Sequence, residues 1–221
     1  MTTARRDVEI QIEAVTLLAD LTLPSDTRGL VIFAHGSGSG RKSPRNQEVA
    51  ATLQRGNLGT LLFDLLTLEE EAVDRHTTHL RFDIDLLAER LVGATDWARG
   101  QAGLTRVPFG YFGASTGAAA ALVAAAERPV EIKAVVSRGG RPDLAGSSLR
   151  HVVPPTLLIV GGHDRPIISL NEKAQALMPG TVELHIVPGA SHLFEEPGAL
   201  YEVACLASTW FTRHLARQAV A

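Results

Sequence analysis

Residues 108–117 read PFGYFGASTG and contain the pattern G-x-S-x-G, with Ser115 at its centre. An apolar run, Pro108–Phe112, leads into the pattern, and an alanine-dense run, Ala118–Arg128, follows it. This order predicts a strand, a sharp turn and a helix, in which the flanking glycines remove side chains that would clash. The turn would place Ser115 at the carboxyl edge of a sheet, where ligands bind in open α/β folds. A glycine-rich turn with a capping serine is the alternative interpretation.

Short apolar runs alternate with helical patterns along the rest of the chain. The apolar runs predict further strands at Val8–Ile12, Val15–Leu23, Leu30–Ala34, Thr60–Asp64, Ile132–Ser137, Thr156–Val160 and Val182–Val187. The helical patterns predict further helices at Pro44–Arg55, Leu80–Arg99, Ser169–Met178 and Pro197–Ala216. This spacing implies parallel βαβ units with helices on both faces of the sheet. We therefore predict an α/β fold with a doubly wound, mostly parallel sheet and an N-terminal antiparallel hairpin, built as a single domain over residues 1–221.

The composition excludes several classes of protein. The chain has 221 residues, of which 45% are hydrophobic and 20% are charged, so it is not a disordered or fibrous chain. Its net charge of -3 argues against a nucleic-acid or anionic-lipid partner. The single cysteine excludes an internal disulfide and a cysteine-based zinc site. No signal peptide or membrane span is recognisable, so we expect a cytoplasmic protein with no membrane partner.

Two later residues could activate a serine nucleophile, which is weak without a general base. His192 follows the predicted strand Val182–Val187, and Asp164 follows the strand Thr156–Val160, so both would lie at the same sheet edge as Ser115. A carboxylate beside the histidine would fix its tautomer and stabilise the imidazolium. The order Ser115, Asp164, His192 is the order of the α/β-hydrolase triad. The alternatives are a loop histidine with local hydrogen bonds and an ordinary turn aspartate.

The Gly/Ser loop, His35–Gly40, follows the predicted strand Leu30–Ala34 and reads HGSGSG. Backbone amides of such a loop can stabilise a developing oxyanion without a metal. We predict the amide of Ser37 as one donor, with Gly38 as the alternative, and the amide of Thr116 as the other. The loop lacks the spacing of a dinucleotide fingerprint and the G-K-[ST] ending of a P-loop.

The remaining polar clusters have weaker interpretations. Arg138 could present its guanidinium to an acidic substrate, although an ordinary loop arginine is the alternative. Together with His35 and Gly36 it forms our set of candidate substrate contacts. His76 and His79 have the spacing of a metal pair but no obvious third ligand, so we predict no metal.

Two more acidic clusters read as ordinary surface features. Glu69–Glu71 suits a solvated helix start or loop. Asp83 and Asp85 suit the first turn of the helix Leu80–Arg99, where negative charge is favourable.

From Leu30 to His192 the sequence resembles the α/β-hydrolase superfamily and, within it, the dienelactone-hydrolase-like group. The motifs that carry this resemblance are Ala34–Gly38, Gly113–Gly117, Gly162–Asp164 and Gly189–His192. The runs Leu62–Thr67 and Arg81–Asp83 are also similar to a bacterial hydrolase subgroup that is sometimes fused to a phosphoribosyltransferase. We expect no such partner domain within residues 1–221.

The resemblance implies a serine hydrolase that needs no cofactor and cleaves small carboxylic esters or lactones. Dienelactone hydrolase proper is known for a cysteine nucleophile, whereas this chain has Ser115, so only the reaction class, acyl transfer to water, carries over. A thioesterase, peptidase or perhydrolase of the same fold, or a non-catalytic binding module, is the alternative.

The spacing of the chain bears on access to the site and on assembly. Only residues 138–155 separate two predicted strands at the point where many α/β-hydrolases insert a lid. We therefore expect no cap domain and an open site for a small-molecule ester or lactone. The apolar final helix would either pack a homodimer or close the sheet.

Overall fold

The computed structural model describes residues 3–215, which form an eight-stranded sheet with helices on both faces. The strands are β1 (Thr3–Ile12), β2 (Val15–Pro24), β3 (Gly29–Ala34), β4 (Leu58–Phe63), β5 (Phe109–Ala114), β6 (Ile132–Arg138), β7 (Thr156–Gly161) and β8 (Val182–Val187). The helices are α1 (Pro44–Arg55), α2 (Leu68–Thr77), α3 (Ile84–Arg99), α4 (Thr116–Glu127), α5 (Arg165–Leu177) and α6 (Ala199–His214). Two 3₁₀ segments lie at Leu80–Phe82 and Pro142–His151.

The strand order is β1-β2-β4-β3-β5-β6-β7-β8. β1 and β2 form an antiparallel hairpin, β2 is antiparallel to β4, and every other pair is parallel. The carboxyl ends of β3 to β8 therefore meet at one edge of the sheet, and β5 lies near its middle. This arrangement confirms the predicted α/β fold with its N-terminal hairpin.

Each face of the sheet carries its own core. On one face, residues of α3 and α4 pack with buried strand residues such as Ile32 and Tyr111. On the other face, α1 and α6 cover residues that include Phe33 and Phe112, whose rings lie 4.9 Å apart between centroids. Strands β3, β4, β5 and β7 are buried along their whole length, which explains their unbroken apolar sequences.

The predicted helix Leu80–Arg99 is interrupted near its start. Residues Leu80–Phe82 form a 3₁₀ turn, and α3 begins only at Ile84. The side chain of Asp83 accepts a hydrogen bond from the amide of Leu86 at 3.1 Å, so Asp83 caps the helix instead of lying inside it. Short acidic side chains favour this role because they compete for backbone donors.

Glu69–Glu71 lies at a helix start, one of the two interpretations given above, whereas α5 starts earlier than predicted. Glu69–Glu71 lies in α2, where the side chain of Thr67 and that of Glu70 form a reciprocal capping box. α5 begins at Arg165, four residues before the predicted start at Ser169, with Pro166 in its first turn.

The final helix, α6, packs its apolar side against α1 and the sheet, with Val203, Ala207 and Phe211 buried. The predicted end of this helix at Ala216 lies outside the described residues. None of the helices within residues 3–215 is both long and apolar enough to cross a membrane.

The connection between β6 and β7 comprises residues 139–155 and carries a single 3₁₀ segment. Its 3₁₀ segment packs against α4 and α5 and buries Ala145 and Leu149 in the core. No cap domain is therefore formed here, as predicted.

Mutation of the buried hydrogen bond between the hydroxyls of Thr95 in α3 and Tyr111 in β5 tests the packing of these two elements. The two oxygens lie 2.6 Å apart, and both residues are fully buried. We expect Thr95→Val to lower the free energy of unfolding by about 1–3 kcal/mol, since it leaves the Tyr111 hydroxyl without this partner. The double variant with Tyr111→Phe should recover part of the loss. Urea denaturation measures the stability of both variants. A Thr95→Val protein as stable as the wild type would contradict a stabilising hydrogen bond between Thr95 and Tyr111.

Candidate active site

Ser115 lies at the turn between β5 and α4 in a strained backbone conformation. Its φ is 52° and its ψ is -120°, a region that non-glycine residues seldom occupy. The amide of Ser115 donates to the carbonyl of Arg138 at 3.2 Å, and the Ser115 carbonyl accepts from the amides of Ala118 and Arg141. The strand, turn and helix that the sequence predicted around Ser115 are therefore present, and neighbouring backbone holds the strained residue.

The two glycines of the motif allow close contacts on either side of Ser115. A Cβ on Gly117 would lie 2.3 Å from the carbonyl oxygen of Ala34, and one on Gly113 would lie 2.4 Å from the Cα of Ala118. Real Cβ atoms do not approach other atoms so closely. The turn can pack against β3 and α4 only because both positions lack a side chain.

Asp164 and His192 are brought together as their order along the chain suggested. The Nδ1 atom of His192 lies 2.6 Å from Oδ2 of Asp164. Asp164 occupies the N-cap position of α5 without capping it, so its carboxylate is free to face the imidazole. The amide of His163 donates to the carbonyl of Ala190 at 2.9 Å, which ties the two turns together.

The loop after β6 links Ser115 to His192. Gly139 follows the carbonyl that accepts from the Ser115 amide, and a Cβ built on it would lie 3.5 Å from Cε1 of the His192 ring. Within residues 3–215, no hydrogen bond joins Oγ of Ser115 to the His192 ring. Serine and histidine side chains of hydrolases often approach each other only when substrate is bound.

Ser37 and Thr116, the two predicted oxyanion donors, contact each other directly. The amide of Ser37 donates to Oγ1 of Thr116 at 3.1 Å, and the two side-chain oxygens lie 3.0 Å apart. The amide of Thr116 opens α4, so no carbonyl four residues earlier in a helix can accept from it. The Thr116 amide is therefore available, whereas the Ser37 amide is engaged by a neutral hydroxyl.

His35 fixes the start of the Gly/Ser loop. Its Nε2 accepts the amide hydrogen of Leu65 at 3.0 Å, so Nδ1 carries the proton and donates to the carbonyl of Gly36 at 3.0 Å. Burial lowers the pKa of His35, although the Gly36 carbonyl and two nearby carboxylates act in the opposite direction. The ring is thus a neutral link between the Gly/Ser loop and the end of β4.

A charged network that the sequence analysis missed fixes the other end of the Gly/Ser loop. Asp64 accepts from the amide of Arg41 at 2.7 Å and also pairs with its guanidinium. The ammonium of Lys42 lies 2.9 Å from both carboxylate oxygens of the buried Asp20. These contacts join residues more than 20 positions apart in the chain, so no local sequence pattern indicated them.

A cavity of about 350 Å³ lies beside the Gly/Ser loop. His35, Gly36, Ser37 and Thr116 line it on one side. The α2 segment, which we define as Leu68–Phe82, lines it on the other. The cavity thus lies beside Thr116, the residue after the predicted nucleophile, and includes two of the three candidate substrate contacts.

Arg138, the third candidate contact, does not line this cavity. It is only 8% exposed at the end of β6, and within residues 3–215 its Nη1 has no hydrogen-bond partner. Burial, together with the charge of Arg45, lowers the pKa of Arg138 to about 10. Contact with substrate therefore stays a prediction for Arg138.

The proposed histidine pair is not arranged as a metal site. His76 lies in α2, but Thr78 ends this helix in a left-handed conformation, so His79 belongs to the next turn. Among residues 3–215, no three potential metal ligands cluster together.

The neutral state of His35 predicts a pH dependence of stability. In the unfolded chain the ring has its ordinary pKa of 6.5, while the folded value is lower, so the unfolded state binds more protons as pH falls below 6.5. We expect the wild type to lose stability between about pH 7.5 and pH 5.5, and His35→Gln to lose less, because glutamine can still accept from Leu65 but does not titrate. Chemical denaturation at both pH values measures the difference.

Comparing the wild type with His35→Gln isolates the contribution of His35 to the pH dependence of stability. The pKa of His214 is also lowered by burial, but His214 is present in both proteins and cancels in the difference. Equal pH dependence in the two proteins would show that His35 is not held neutral.

The chain is similar to several proteins of known structure. A crystal structure of dienelactone hydrolase from Anabaena variabilis is 58% identical, has a TM-score of 0.95 and covers 96% of this chain and 99% of its own. Est1E from Butyrivibrio proteoclasticus is 16% identical with a TM-score of 0.78, covering 94% of this chain and 98% of its own, so it supports the fold alone.

Sequence comparison also finds a protein of Mycobacterium tuberculosis that is provisionally named a phosphoribosyl transferase. It is 57% identical over 212 residues, which are 95% of this chain but 47% of that protein. The chain therefore spans about half the length of the curated relatives that it matches. No family model matches the chain.

Proposed function

The chain belongs to the dienelactone-hydrolase-like α/β-hydrolases, and from that premise we propose that it is a serine hydrolase of small carboxylic esters or lactones. One observation carries the proposal. Ser115 is held at a φ of 52° on the edge of the sheet where the hydrogen-bonded pair of His192 and Asp164 also lies. A strained serine at this turn beside a carboxylate-bound histidine is suited to nucleophilic catalysis.

In the proposed reaction, Oγ of Ser115 attacks the carbonyl carbon while Nε2 of His192 takes the hydroxyl proton. Asp164 keeps the proton of the ring on Nδ1 and stabilises the imidazolium. Collapse of the tetrahedral intermediate breaks the bond to the leaving oxygen, which receives the proton from His192, and leaves an acyl group on Ser115. Water then attacks this ester with His192 as base, and the free acid departs as Ser115 regains its proton.

The amides of Thr116 and Ser37 would stabilise the negative oxygen of both tetrahedral intermediates. To bind this oxygen, the Ser37 amide must first give up its hydrogen bond to the Thr116 hydroxyl. That exchange favours the transition state, because a hydrogen bond to an anionic acceptor is about twice as strong as one to a neutral hydroxyl. The Thr116 hydroxyl therefore holds the Gly/Ser loop in place until charge develops.

Phosphoribosyl transfer is not the activity that we propose for this chain. The M. tuberculosis relative is about twice as long, and the part it shares with this chain is the α/β-hydrolase region. The Gly/Ser loop of this region lacks the spacing of either phosphate-binding pattern considered above.

Hydrolysis of p-nitrophenyl acetate and butyrate, with covalent labelling by a fluorophosphonate, tests the proposal. We expect the wild type to turn over both esters and to be labelled. Ser115→Ala should abolish labelling and lower kcat by about 10⁴-fold or more, since the nucleophile is lost.

Asp164→Asn is the companion variant, because it keeps the nucleophile but weakens the support of His192. It should retain slow labelling while kcat falls by about 10⁴-fold. A wild-type protein that neither labels nor hydrolyses either ester would overturn the proposed function and favour a binding module. Thermal unfolding of each variant establishes that the protein is folded.

A further inference from the structure

The cavity and the acid–base pair lie on opposite sides of Ser115. In the sheet, β3 and β4 lie on one side of β5, while β7 and β8 lie on the other. The cavity is lined by residues that follow β3 and β4, whereas Asp164 and His192 follow β7 and β8. His192 must protonate the leaving oxygen, so the leaving group lies on the side of β7. The acyl group then extends toward the cavity.

We propose that this cavity is the acyl pocket and that Glu71 selects short acyl groups that carry a hydroxyl or an amino group. The inference rests on the proposed function and adds the class of acyl group. A volume of about 350 Å³ lies at the lower end of the range for small-molecule pockets. Such a pocket accommodates a few carbon atoms but not a long fatty chain.

Charged side chains line much of the cavity, and most of them already have partners. Asp64 is bound by Arg41, and Asp74 is bound by Arg81, with Asp74 Oδ2 and Arg81 Nε 2.5 Å apart. Neither pair is free to recognise a substrate without breaking these contacts. They set the polarity of the pocket and make it unsuitable for an unbroken alkyl chain.

Glu71 and Arg75 differ from these pairs. They lie one helical turn apart on α2 and both line the cavity, yet within residues 3–215 neither forms an ion pair. Arg75 is exposed, whereas Glu71 is half-buried and lies close enough to His35 for its charge to act on that ring. Glu71 is therefore the unpaired group that lies nearer the Gly/Ser loop.

The chemistry of Glu71 defines the acyl groups that the pocket favours. An ionised carboxylate only accepts hydrogen bonds, so it binds a hydroxyl or an ammonium group. An anionic acyl group placed beside the Glu71 carboxylate would be repelled by its negative charge. Hydroxylated or aminated short acyl groups are the class that satisfies both conditions.

Matched p-nitrophenyl esters test this selection: butyrate, β-hydroxybutyrate, β-aminobutyrate, the succinate monoester and octanoate. We expect kcat/KM for the hydroxy and amino esters to exceed that for butyrate by about tenfold, as one hydrogen bond to a charged group would give. The anionic succinate ester and octanoate should be the poorest substrates.

Glu71→Ala should bring these ratios to about one, because the variant loses the hydrogen bond that distinguishes the hydroxy and amino esters from butyrate. Glu69→Ala is the matched control, since Glu69 lies exposed on the same helix and does not line the cavity. A wild type without the preference, or a preference that survives in Glu71→Ala, overturns the proposal.

A binding measurement separates failure of this inference from failure of the proposed function. Ligand-observed NMR with Ser115→Ala compares β-hydroxybutyramide with butyramide. If the hydroxylated amide binds selectively and this binding depends on Glu71, but the protein hydrolyses no ester, the proposal for the pocket stands and the proposed hydrolase function is wrong. If the protein hydrolyses esters but its selectivity does not depend on Glu71, the proposed hydrolase function stands and the proposal for the pocket is wrong.

Discussion

The rest of the candidate site depends on the backbone of Ser115. A positive φ at a non-glycine residue costs of order 1–3 kcal/mol and persists only where the surroundings hold it. Here the amide and carbonyl of Ser115 are bound by residues 138, 118 and 141. The helix α4 starts immediately after the turn, and the side chain of its first residue, Thr116, contacts Ser37 of the Gly/Ser loop. One strained residue thus positions both the proposed nucleophile and one proposed oxyanion donor.

The Gly/Ser loop is held by three contacts, two to the turn after β4 and one to the start of α4. His35 joins it to Leu65, Arg41 joins it to Asp64, and Ser37 joins it to Thr116. Flexible glycines would otherwise leave the amides of this loop without a fixed direction. Electrostatic stabilisation depends on donors that are positioned before charge develops. The neutral imidazole of His35 suits this role because it adds no charge beside the proposed oxyanion site.

The sequence predicted the parts of this molecule that follow from periodicity and local chemistry. Buried strands appeared as unbroken apolar runs, and the glycines around Ser115 indicated the tight turn. The α2 segment was harder, because its helix buries only Asp74 and so lacks an apolar stripe, although the capping box of Thr67 and Glu70 was a readable signal. The pairing of Asp64 with Arg41, and the engagement of the Ser37 amide, depend on long-range packing that no local pattern encodes.

The structural elements on the two sides of Ser115 differ in how well they tolerate substitution. Asp164 and His192 are connected through the backbone hydrogen bonds between the turns after β7 and β8, so a substitution there disturbs the sheet edge as well as the proposed proton transfer. The α2 segment contributes little to either core and exposes Leu68, Val73 and Phe82. Few buried contacts mean a low local cost of substitution. The proposed selectivity for the acyl group could therefore change through substitutions in the α2 segment while the strained turn and the pair of Asp164 with His192 stay unchanged.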